Sequence, residues 1–434
     1  MDLGLNDVQR AVQDAARTYA QKRLAPAAAE SERLERFPTE FLREMADLGL
    51  MGVNIPSSLG GAEAGVVAYS LAMQEVAAAC ASTAVTMAVT NMVAEVINAF
   101  GNDEQRNHHI PKITSGEYAA GAFALSEPGA GSDPGGMRTT ATRVPGGWQL
   151  DGEKQWITSG AYAGVMVVWA RTGGAGTKGI SCFLVEQGTK GLRAGKAEDK
   201  MGLRASNTVP LTFESCVVPE SALLAEEGMG FKIAMMALDG GRIGIASQSC
   251  GIARAAHEAS ITYAKDRQAW DKPIADYQGI QWMLADDRVQ LDAARLLTMR
   301  AAWLKENARP FSREAAMAKV YASEAANRVC NHAVQIFGGY GYTREFPVER
   351  YLRDVRVTMI YEGTSEIQRT VIARAVLRLH PAGVRRPRAR PGGGLDVEDV
   401  LRARRRRTLR ARDADLVGRR VIGARVEPRH VAAR

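Results

Sequence analysis

The stretch YEGTSEIQR, residues 361–369, decides how the rest of the chain is interpreted. It places the carboxylate of Glu362 directly before a glycine turn and two hydroxyl residues. Taken alone, this pattern predicts a cap on a helix over residues 366–377, because Thr and Ser are preferred at helix N-termini. The same arrangement suits proton abstraction beside a bound anionic or carbonyl-containing ligand, since backbone N–H groups at a helix start stabilise negative charge. Both interpretations are open at this point.

Length and composition indicate a large globular protein. The 434 residues can form two or three domains, and 46% hydrophobic with 24% charged residues is an ordinary balance. Five cysteines lie far apart without a CxxC pair, which predicts reduced, packed thiols and no metal site or disulfide framework; they are Cys80, Cys182, Cys216, Cys250 and Cys330.

The net charge of +8 belongs to the C-terminal end of the chain. Residues 378–434 hold 17 arginines and six acidic residues, a net of +11, which leaves the remaining body at −3. A mildly acidic body gives no electrostatic argument for nucleic acid. For the arginine-rich tail itself we expect disorder, and an amphipathic helix near residues 397–409 that contacts anionic lipid or nucleic acid is the alternative.

Patterning along the chain predicts three further segments. Residues 1–117 have helix-period apolar positions and form an N-terminal α-helical domain. Residues 118–225 contain short β-branched and aromatic runs between glycine turns, which predicts a small antiparallel β domain. Residues 226–377 return to long helical patterns typical of a four-helix bundle. The fold class is therefore multidomain α+β.

Two features bear on localisation. The charge-free run over residues 76–94 is rich in Ala and Thr and poor in Leu and Ile, so a buried helix is expected instead of a membrane span. The N-terminus has early acidic residues and no apolar h-region, so we expect a cytoplasmic protein without a targeting peptide.

Two motifs follow one another in the predicted β domain. The first is rich in glycine, and the second contains a tryptophan. The string ALSEPGAGSD, residues 124–133, combines glycines that permit close backbone approach to a ring or phosphate with the hydroxyls of Ser126 and Ser132. Its glycine spacing does not match the dinucleotide-binding fingerprint. The string KQWITSG, residues 154–160, alone predicts core packing plus a surface hydroxyl.

Two more motifs lie in the C-terminal helical segment. The string LDGGR, residues 238–242, is interpreted as the opening of a long helix, with Asp239 as its cap. The strings DRQAW, residues 266–270, and QIFGGYGY, residues 335–342, combine an arginine suited to phosphate with a glycine turn. Singly, each is also an ordinary helix-end turn.

Together, in this order, these strings resemble the acyl-CoA dehydrogenase family over about residues 5–377. The resemblance implies helical, β and helical domains in series and FAD as cofactor. It assigns the catalytic base to Glu362, because Gly241 occupies the alternative position that carries the base in some branches. It assigns flavin contacts to Phe123, Leu125, Ser126, Gly131, Ser132, Trp156, Ile157, Thr158, Arg267, Gln278, Gln335, Gly338, Gly339, Thr364, Ser365 and Glu366, and acyl-CoA contacts to Ser132, Asp239, Arg242, Tyr361 and Gly363.

The implied reaction is the conversion of an acyl-CoA thioester to trans-2-enoyl-CoA, as in fatty-acid β-oxidation, with electrons passed to electron-transfer flavoprotein. The string over residues 239–246 looks most like the short-chain, butyryl-CoA branch, although Glu95-Val96 replaces a Gly-Pro pair common there, which leaves branched or medium chains open. The resemblance also implies a homotetramer whose FAD sites are completed by a neighbouring subunit. Alternatives are an acyl-CoA oxidase that uses O₂ and a nucleic-acid-associated relative that uses the basic tail.

Overall fold

The computed structural model describes residues 4–377. The expectation of a disordered tail at residues 378–434 lies outside the described residues. The order of elements confirms the expected fold class of N-terminal helices, a central sheet and C-terminal helices.

The N-terminal helices begin with a capping box, in which Asn6 and Gln9 exchange side-chain and backbone hydrogen bonds. A short π-helical turn, Ala20–Leu24, joins the first two helices. The expected buried helix at residues 76–94 is two helices, because the backbone of Cys80 is extended and interrupts it. The bounds are α1 Asp7–Tyr19, α2 Ala25–Arg33, α3 Thr39–Asp47, α4 Gly65–Ala79, α5 Ala81–Phe100 and α6 Asp103–Thr114.

Helix α5 is the one described helix long and apolar enough to cross a membrane by length and composition. Its most apolar window is 78% buried inside the protein. A core helix of a globular protein passes the same test, so α5 is weak evidence for a membrane span.

The central sheet has the strand order β1-β4-β2-β3-β7-β6, with β5 beside β4. Most pairs are antiparallel, as expected, but β1 runs parallel to β4 and β2 makes a single parallel bridge to it, so the sheet is mixed. The chain separates β1 from β4 by an entire hairpin, β2–β3, which allows β4 to return in the same direction as β1. The bounds are β1 Ala120–Ala124, β2 Thr140–Val144, β3 Gly147–Thr158, β4 Ala163–Arg171, β5 Ile180–Glu186, β6 Leu192–Ala194 and β7 Thr208–Pro219.

The C-terminal helices are long and pack on α4 and α5 as well as on one another. The first of them begins at Gly230, so the LDGGR string lies in its third turn and does not open the helix as expected. Packing of α7 against its neighbouring helices continues the helix through two glycines that are weak helix formers on their own. The bounds are α7 Gly230–Asp266, α8 Gln278–Glu306, α9 Ser312–Phe337, α10 Val348–Arg356 and α11 Ser365–Val376; a small hairpin, β8 Gln268–Ala269 and β9 Lys272–Pro273, separates α7 from α8.

All five cysteines are free thiols, and four of them are buried, as the sequence predicts. A buried charged group on α4, Glu75, joins three helices, and its side chain is 3% exposed. Its carboxylate accepts hydrogen bonds from Arg254 of α7 at 2.6 Å and from Arg17 of α1 at 3.1 Å. Burial alone would raise the pKa of Glu75, but these two cations outweigh burial and hold it below the usual range. The network therefore fixes α1, α4 and α7 together.

Replacing Glu75 with Ala is expected to lower the free energy of unfolding by about 2–3 kcal/mol, less than the roughly 3–5 kcal/mol of a fully buried pair because both arginines remain partly exposed. Chemical denaturation measures this change. The control Asp292→Ala removes the exposed i,i+4 pair with Arg288 and should change stability by under about 0.5 kcal/mol. Because the pKa of Glu75 is lowered by folding, its contribution is present above the unfolded pKa and is lost as pH falls; a difference that persists undiminished at acidic pH would contradict this origin.

Candidate active site

The YEGTSEIQR segment forms a strained turn that leads into α11. Glu362 adopts φ +53° and Gly363 φ +87°, so two consecutive residues lie in the left-handed region. A non-glycine residue in this region costs free energy and needs surrounding contacts to hold it there. Thr364 then caps α11, its hydroxyl accepting from the backbone N–H of Ile367 at 3.3 Å. The predicted helix cap is therefore present, and the carboxylate of Glu362 stands just before it, outside the helix.

Two side chains hold this turn, one from α9 and one from the first turn of α11. The ammonium of Lys319, on α9, donates to the carbonyl of Gly363 at 2.6 Å. The amide of Gln368 donates to the same carbonyl at 2.9 Å and to that of Glu362 at 3.3 Å. Lys319 and Gln368 are fully buried, and Tyr361 is fixed by a hydrogen bond to Gln248 on α7. The backbone of the turn therefore has little freedom to relax.

The side chain of Glu362 is half-buried, and one oxygen of its carboxylate is enclosed without a partner. Its Oε2 has no hydrogen bond within residues 4–377. Burial raises the pKa of Glu362 to about 7, against opposing effects of the Arg242 and Lys319 charges. Burial also lowers the pKa of Lys319 to about 8, although the charge of Glu362 raises it. A carboxylate with a pKa near neutrality and an unused lone pair is suited to act as a general base.

Helix α7 forms the wall opposite this carboxylate. A Cβ on Gly241 would lie 2.6 Å from Oε2 of Glu362 and 3.1 Å from Sδ of Met92 on α5. Position 241, to which the resemblance assigns the base of other branches, is therefore next to the Glu362 carboxylate in space. Arg242 is paired with Asp239, which also accepts from the hydroxyl of Ser312 at 3.0 Å. The structure thus brings Glu362, Tyr361, Gly363, Asp239 and Arg242 into one cluster.

The predicted flavin signature is a compact turn on the central sheet. Glu127 and Ala130 exchange two backbone hydrogen bonds of 3.1 Å, which closes the turn. Around Gly129 and Gly131 the space within 4 Å is open, so the backbone is accessible to a flat ligand. Ser132 is exposed, Ser126 is half-buried, and Leu125 is buried. The residues just before the turn lie on β1, which packs against α5 where Gly121 meets Val93.

The KQWITSG string runs beside this turn, because the backbone N–H of Gln155 donates to the carbonyl of Ser126 at 2.9 Å. The pairing of β3 with β7 is irregular between Lys154 and Ile157, and Trp156 adopts φ +63° there. The indole of Trp156 is in consequence 61% exposed, although tryptophan usually packs inside. Ile157 is buried and Thr158 is half-buried. An exposed indole beside an open glycine turn fits one side of a flavin ring.

A buried ion pair joins these two strings. Lys154 is fully buried, and its ammonium lies 2.8 Å from the carboxylate of Glu127 and 3.2 Å from the carbonyl of Leu125. Glu127 also accepts from the backbone N–H groups of Arg138 at 2.6 Å and Thr139 at 3.0 Å. Burial lowers the pKa of Lys154 to about 8, although the charge of Glu127 opposes the shift. With both partners satisfied, the pair fixes the turn relative to β3.

The remaining predicted flavin residues lie elsewhere. Arg267, Gly338 and Gly339 line one open cavity of about 610 Å³ at the end of α9, together with Tyr340. The guanidinium of Arg267 lies over the Tyr340 ring at 5.6 Å. Gln278 and Gln335 are exposed and are not among the residues that line this cavity. None of the residues around Glu362 lines this cavity, so the structure places the predicted flavin residues in two separate regions of the subunit.

Sequence reasoning missed Lys319, Gln368, Lys154 and Glu127 as supports of the site. Lys319 is a lone lysine within the alanine-rich helix α9, and its small apolar neighbours predict that this position is buried. Another cluster that the sequence did not indicate is that of His108, His109 and Glu186, whose ligand-type atoms lie within 4.8 Å of one another. The Lys112 ammonium is 3.5 Å from His108 Nε2 and disfavours a metal cation there.

Comparison with protein-family models matches nearly the whole described chain. The N-terminal domain of acyl-CoA dehydrogenases matches residues 6–117, the middle domain residues 122–216, and the C-terminal domain residues 228–377.

Individual relatives agree with the family models. The mitochondrial short-chain specific acyl-CoA dehydrogenase of Bos taurus is 49% identical over 376 residues, covering 86% of this chain and 91% of that protein. Butyryl-CoA dehydrogenase from Megasphaera elsdenii superposes with a TM-score of 0.85 at 42% identity, covering 87% of this chain and all of that one. A structure described as the electron transferring flavoprotein of Acidaminococcus fermentans matches with a TM-score of 0.86, 42% identity and the same coverage.

Replacing Lys154 with Met is expected to leave Glu127 buried without its cation, and so to lower the free energy of unfolding by about 3 kcal/mol and weaken retention of the predicted flavin. Thermal melting and the flavin-to-protein absorbance ratio after gel filtration measure the two effects. The double variant with Glu127→Gln removes both charges and should recover part of the stability.

Lys190→Met, an exposed lysine of the same domain, is the control and should change neither quantity. A fully stable, flavin-loaded Lys154→Met protein would contradict the role assigned to the pair.

Proposed function

The chain belongs to the acyl-CoA dehydrogenase family, and from that premise we propose that Glu362 removes the α-proton of an acyl-CoA thioester as the thioester is oxidised to trans-2-enoyl-CoA. The observation that supports this most strongly is the enclosed Oε2 of Glu362, which has no hydrogen-bond partner within residues 4–377, together with a pKa of about 7. An ionised base at the working pH is what abstraction of a weakly acidic α-proton needs. Acyl-CoA dehydrogenases are FAD-dependent enzymes.

Other residues of the cluster position the thioester. We propose that Tyr361 and Gly363 line its binding site beside Glu362, and that the backbone N–H of Glu362 donates to the thioester carbonyl as negative charge develops there. Arg242 and Asp239, on the polar side of Gly241, are placed to bind the CoA portion together with Ser132. Lys319 and Gln368 act by holding the turn, since their hydrogen bonds end on its carbonyl groups.

The residues of the two flavin regions fit the cofactor. The open backbone of Gly131 and the exposed indole of Trp156 suit the isoalloxazine, with Phe123, Leu125, Ser126, Ser132, Ile157 and Thr158 around it. When bound, FAD accepts the hydride that leaves the substrate β-carbon. We propose that Arg267, Gly338 and Gly339 hold the pyrophosphate and adenosine of FAD bound in a neighbouring subunit, with Gln278 and Gln335 at the rim. Thr364, Ser365 and Glu366, at the start of α11, complete the cofactor contacts.

Oligomer formation is supported by the surface of α8. Four apolar side chains recur every seven residues on this helix and are 45–68% exposed, a spacing that lines one face of a helix and favours packing against another helix; they are Trp282, Val289, Leu296 and Trp303. We propose that this stripe is buried between subunits of a homotetramer. The separation of the two flavin regions within one subunit agrees with cofactor sites shared between subunits.

The substrate, the acceptor and the compartment are further proposals. The similarity to short-chain specific relatives supports a substrate with a short acyl chain. The similarity to a structure described as an electron transferring flavoprotein supports electron-transfer flavoprotein as the electron acceptor. An oxidase would instead produce hydrogen peroxide without any acceptor protein. We propose a cytoplasmic location and domains at residues 1–117, 118–225 and 226–377.

The function is tested by anaerobic mixing of the FAD-loaded protein with butyryl-CoA, which should bleach the flavin absorbance. Glu362 must be ionised to accept the proton, so the rate of bleaching should rise with pH through a midpoint near 7 and fall about tenfold per pH unit below it. Glu362→Gln should retain FAD and bind butyryl-CoA yet lose at least about a hundredfold in rate. Near-normal bleaching by this variant would place the base elsewhere.

The same variant has a second expected effect, on stability. Folding raises the pKa of Glu362 from 4.5 to about 7, so its contribution favours the folded state at low pH and is lost as pH rises through 7. Glu362→Gln should therefore raise the free energy of unfolding at pH 8 by up to about 3 kcal/mol and have little effect at pH 4. If Glu362→Gln were less stable than wild type at pH 8, the ionised carboxylate would be stabilised by the fold. That result would contradict a raised pKa of Glu362.

The oligomer is tested by the double variant Val289→Glu, Leu296→Glu, which puts two charges into the apolar stripe of α8. Sedimentation velocity should show a species smaller than wild type, and FAD should be released if subunits share its site. Val217→Glu is the matched control, because Val217 is 51% exposed on the central sheet. An unchanged sedimentation coefficient in the α8 variant would exclude the stripe as the interface.

A further inference from the structure

Tyr69, on α4, lies against the backbone of α7. Its contact is about one helical turn C-terminal to Gly241, the residue of α7 that contacts the candidate base Glu362. The side chain of Tyr69 is buried, and its hydroxyl occupies the space over Gly244, where a Cβ would lie only 2.8 Å away. The two helices are fixed next to this contact by the hydrogen bond between the Ser70 and Ser247 hydroxyls at 2.7 Å. Tyr69 therefore cannot move away from α7 without breaking the contact between α4 and α7.

Gly241 and Gly244 lie three residues apart, so they share a face of α7. The first faces the carboxylate of Glu362 and the second faces the hydroxyl of Tyr69. Because both positions lack a side chain, the Glu362 carboxylate approaches the backbone of α7 at one end of this face and the Tyr69 hydroxyl approaches it at the other. Burial and the charges of Glu95 and Glu362 raise the pKa of Tyr69, in agreement with a neutral hydroxyl near both carboxylates.

The polarity of α7 sets the direction in which a hydrocarbon chain would lie. On the N-terminal side of Gly241, the ammonium of Lys305 is 2.5 Å from the carboxylate of Glu95 and 2.8 Å from the Cβ position of Gly240. At Gly244, one turn towards the C-terminus, the atoms over the helix face belong to the aromatic ring of Tyr69, whose Cε1 and Cζ lie 3.7 Å from the Cβ position. A hydrocarbon gains free energy only on the apolar side. An acyl chain whose α-carbon is beside Glu362 therefore extends towards Tyr69.

We propose that Tyr69 ends the acyl-binding groove and restricts the enzyme to acyl chains of about four to six carbons. Three helical residues advance about 4.5 Å along the axis. An extended acyl chain spans that distance with roughly three or four carbon–carbon bonds beyond its α-carbon. Glu95, where the sequence departs from the short-chain pattern, is paired with Lys305 on the polar side. This inference rests on the proposed function and adds the residue that sets its chain length.

Tyr69→Val tests the proposal, with kcat/KM measured for butyryl-, hexanoyl-, octanoyl- and decanoyl-CoA. Each newly accommodated methylene is worth about fourfold in transfer free energy. The ratio of octanoyl-CoA to butyryl-CoA should therefore rise about tenfold or more, mainly through a lower KM for the longer chain. Tyr69→Phe keeps the ring and should leave the ratio within about twofold of wild type.

Tyr19→Val is the matched control, because Tyr19 is a buried tyrosine of the same domain that binds Phe41 and Glu44 away from the groove. Its chain-length ratio should equal that of wild type. Gly244→Ala is the opposite change: the added methyl meets the Tyr69 hydroxyl and should lower hexanoyl-CoA turnover more than butyryl-CoA turnover. This second variant decides the question if Tyr69→Val does not fold.

An active, flavin-loaded Tyr69→Val protein with an unchanged chain-length ratio would overturn the assignment of Tyr69. A Gly244→Ala protein that loses both substrates equally would do the same. Failure of the proposed function gives a different result, because wild type would then bleach with none of the four acyl-CoA thioesters.

Discussion

The site depends on one constraint, a half-buried carboxylate with one enclosed oxygen that has no hydrogen-bond partner within residues 4–377. Glu362 can occupy this position only because its backbone is forced into the left-handed region and its neighbouring carbonyl groups are bound by Lys319 and Gln368. Desolvation favours the protonated acid, and the positive charges of Arg242 and Lys319 favour the carboxylate. The balance gives a pKa near neutrality, where a carboxylate is a stronger base than in water and is still ionised in a useful fraction.

The rest of the chain positions ligands around that carboxylate. Helix α7 supplies a wall in which Gly241 leaves room for the carboxylate and Gly244 leaves room for Tyr69. Helix α5 contacts both the wall, through Met92, and the central sheet, through Val93. It therefore connects the base to the sheet that carries the glycine turn and Trp156. The order helices, sheet, helices matters for function because the site is assembled from all three.

Much of this could be predicted from the sequence, since the helical segments and the cap at Thr364 are encoded in local strings, and the family resemblance singled out Glu362 as the proposed base. The supports of the site could not, because Lys319 binds a carbonyl 44 residues away and Lys154 binds a carboxylate 27 residues away. Burial decides both interactions, and burial follows from tertiary packing. The wrong expectation for Asp239 has a similar origin, because tertiary contacts continue α7 through a string whose residues alone predict a helix start.

The central claim is tested most directly by titrating Glu362 itself. The carbonyl stretch of its protonated form can be followed by infrared difference spectroscopy of wild type minus Glu362→Gln in protein without substrate. The account predicts that this band disappears with a midpoint near pH 7. A midpoint near 4.5, the value of an unperturbed glutamate, would contradict it, because the carboxylate would then be solvated or paired and not held ready for a proton.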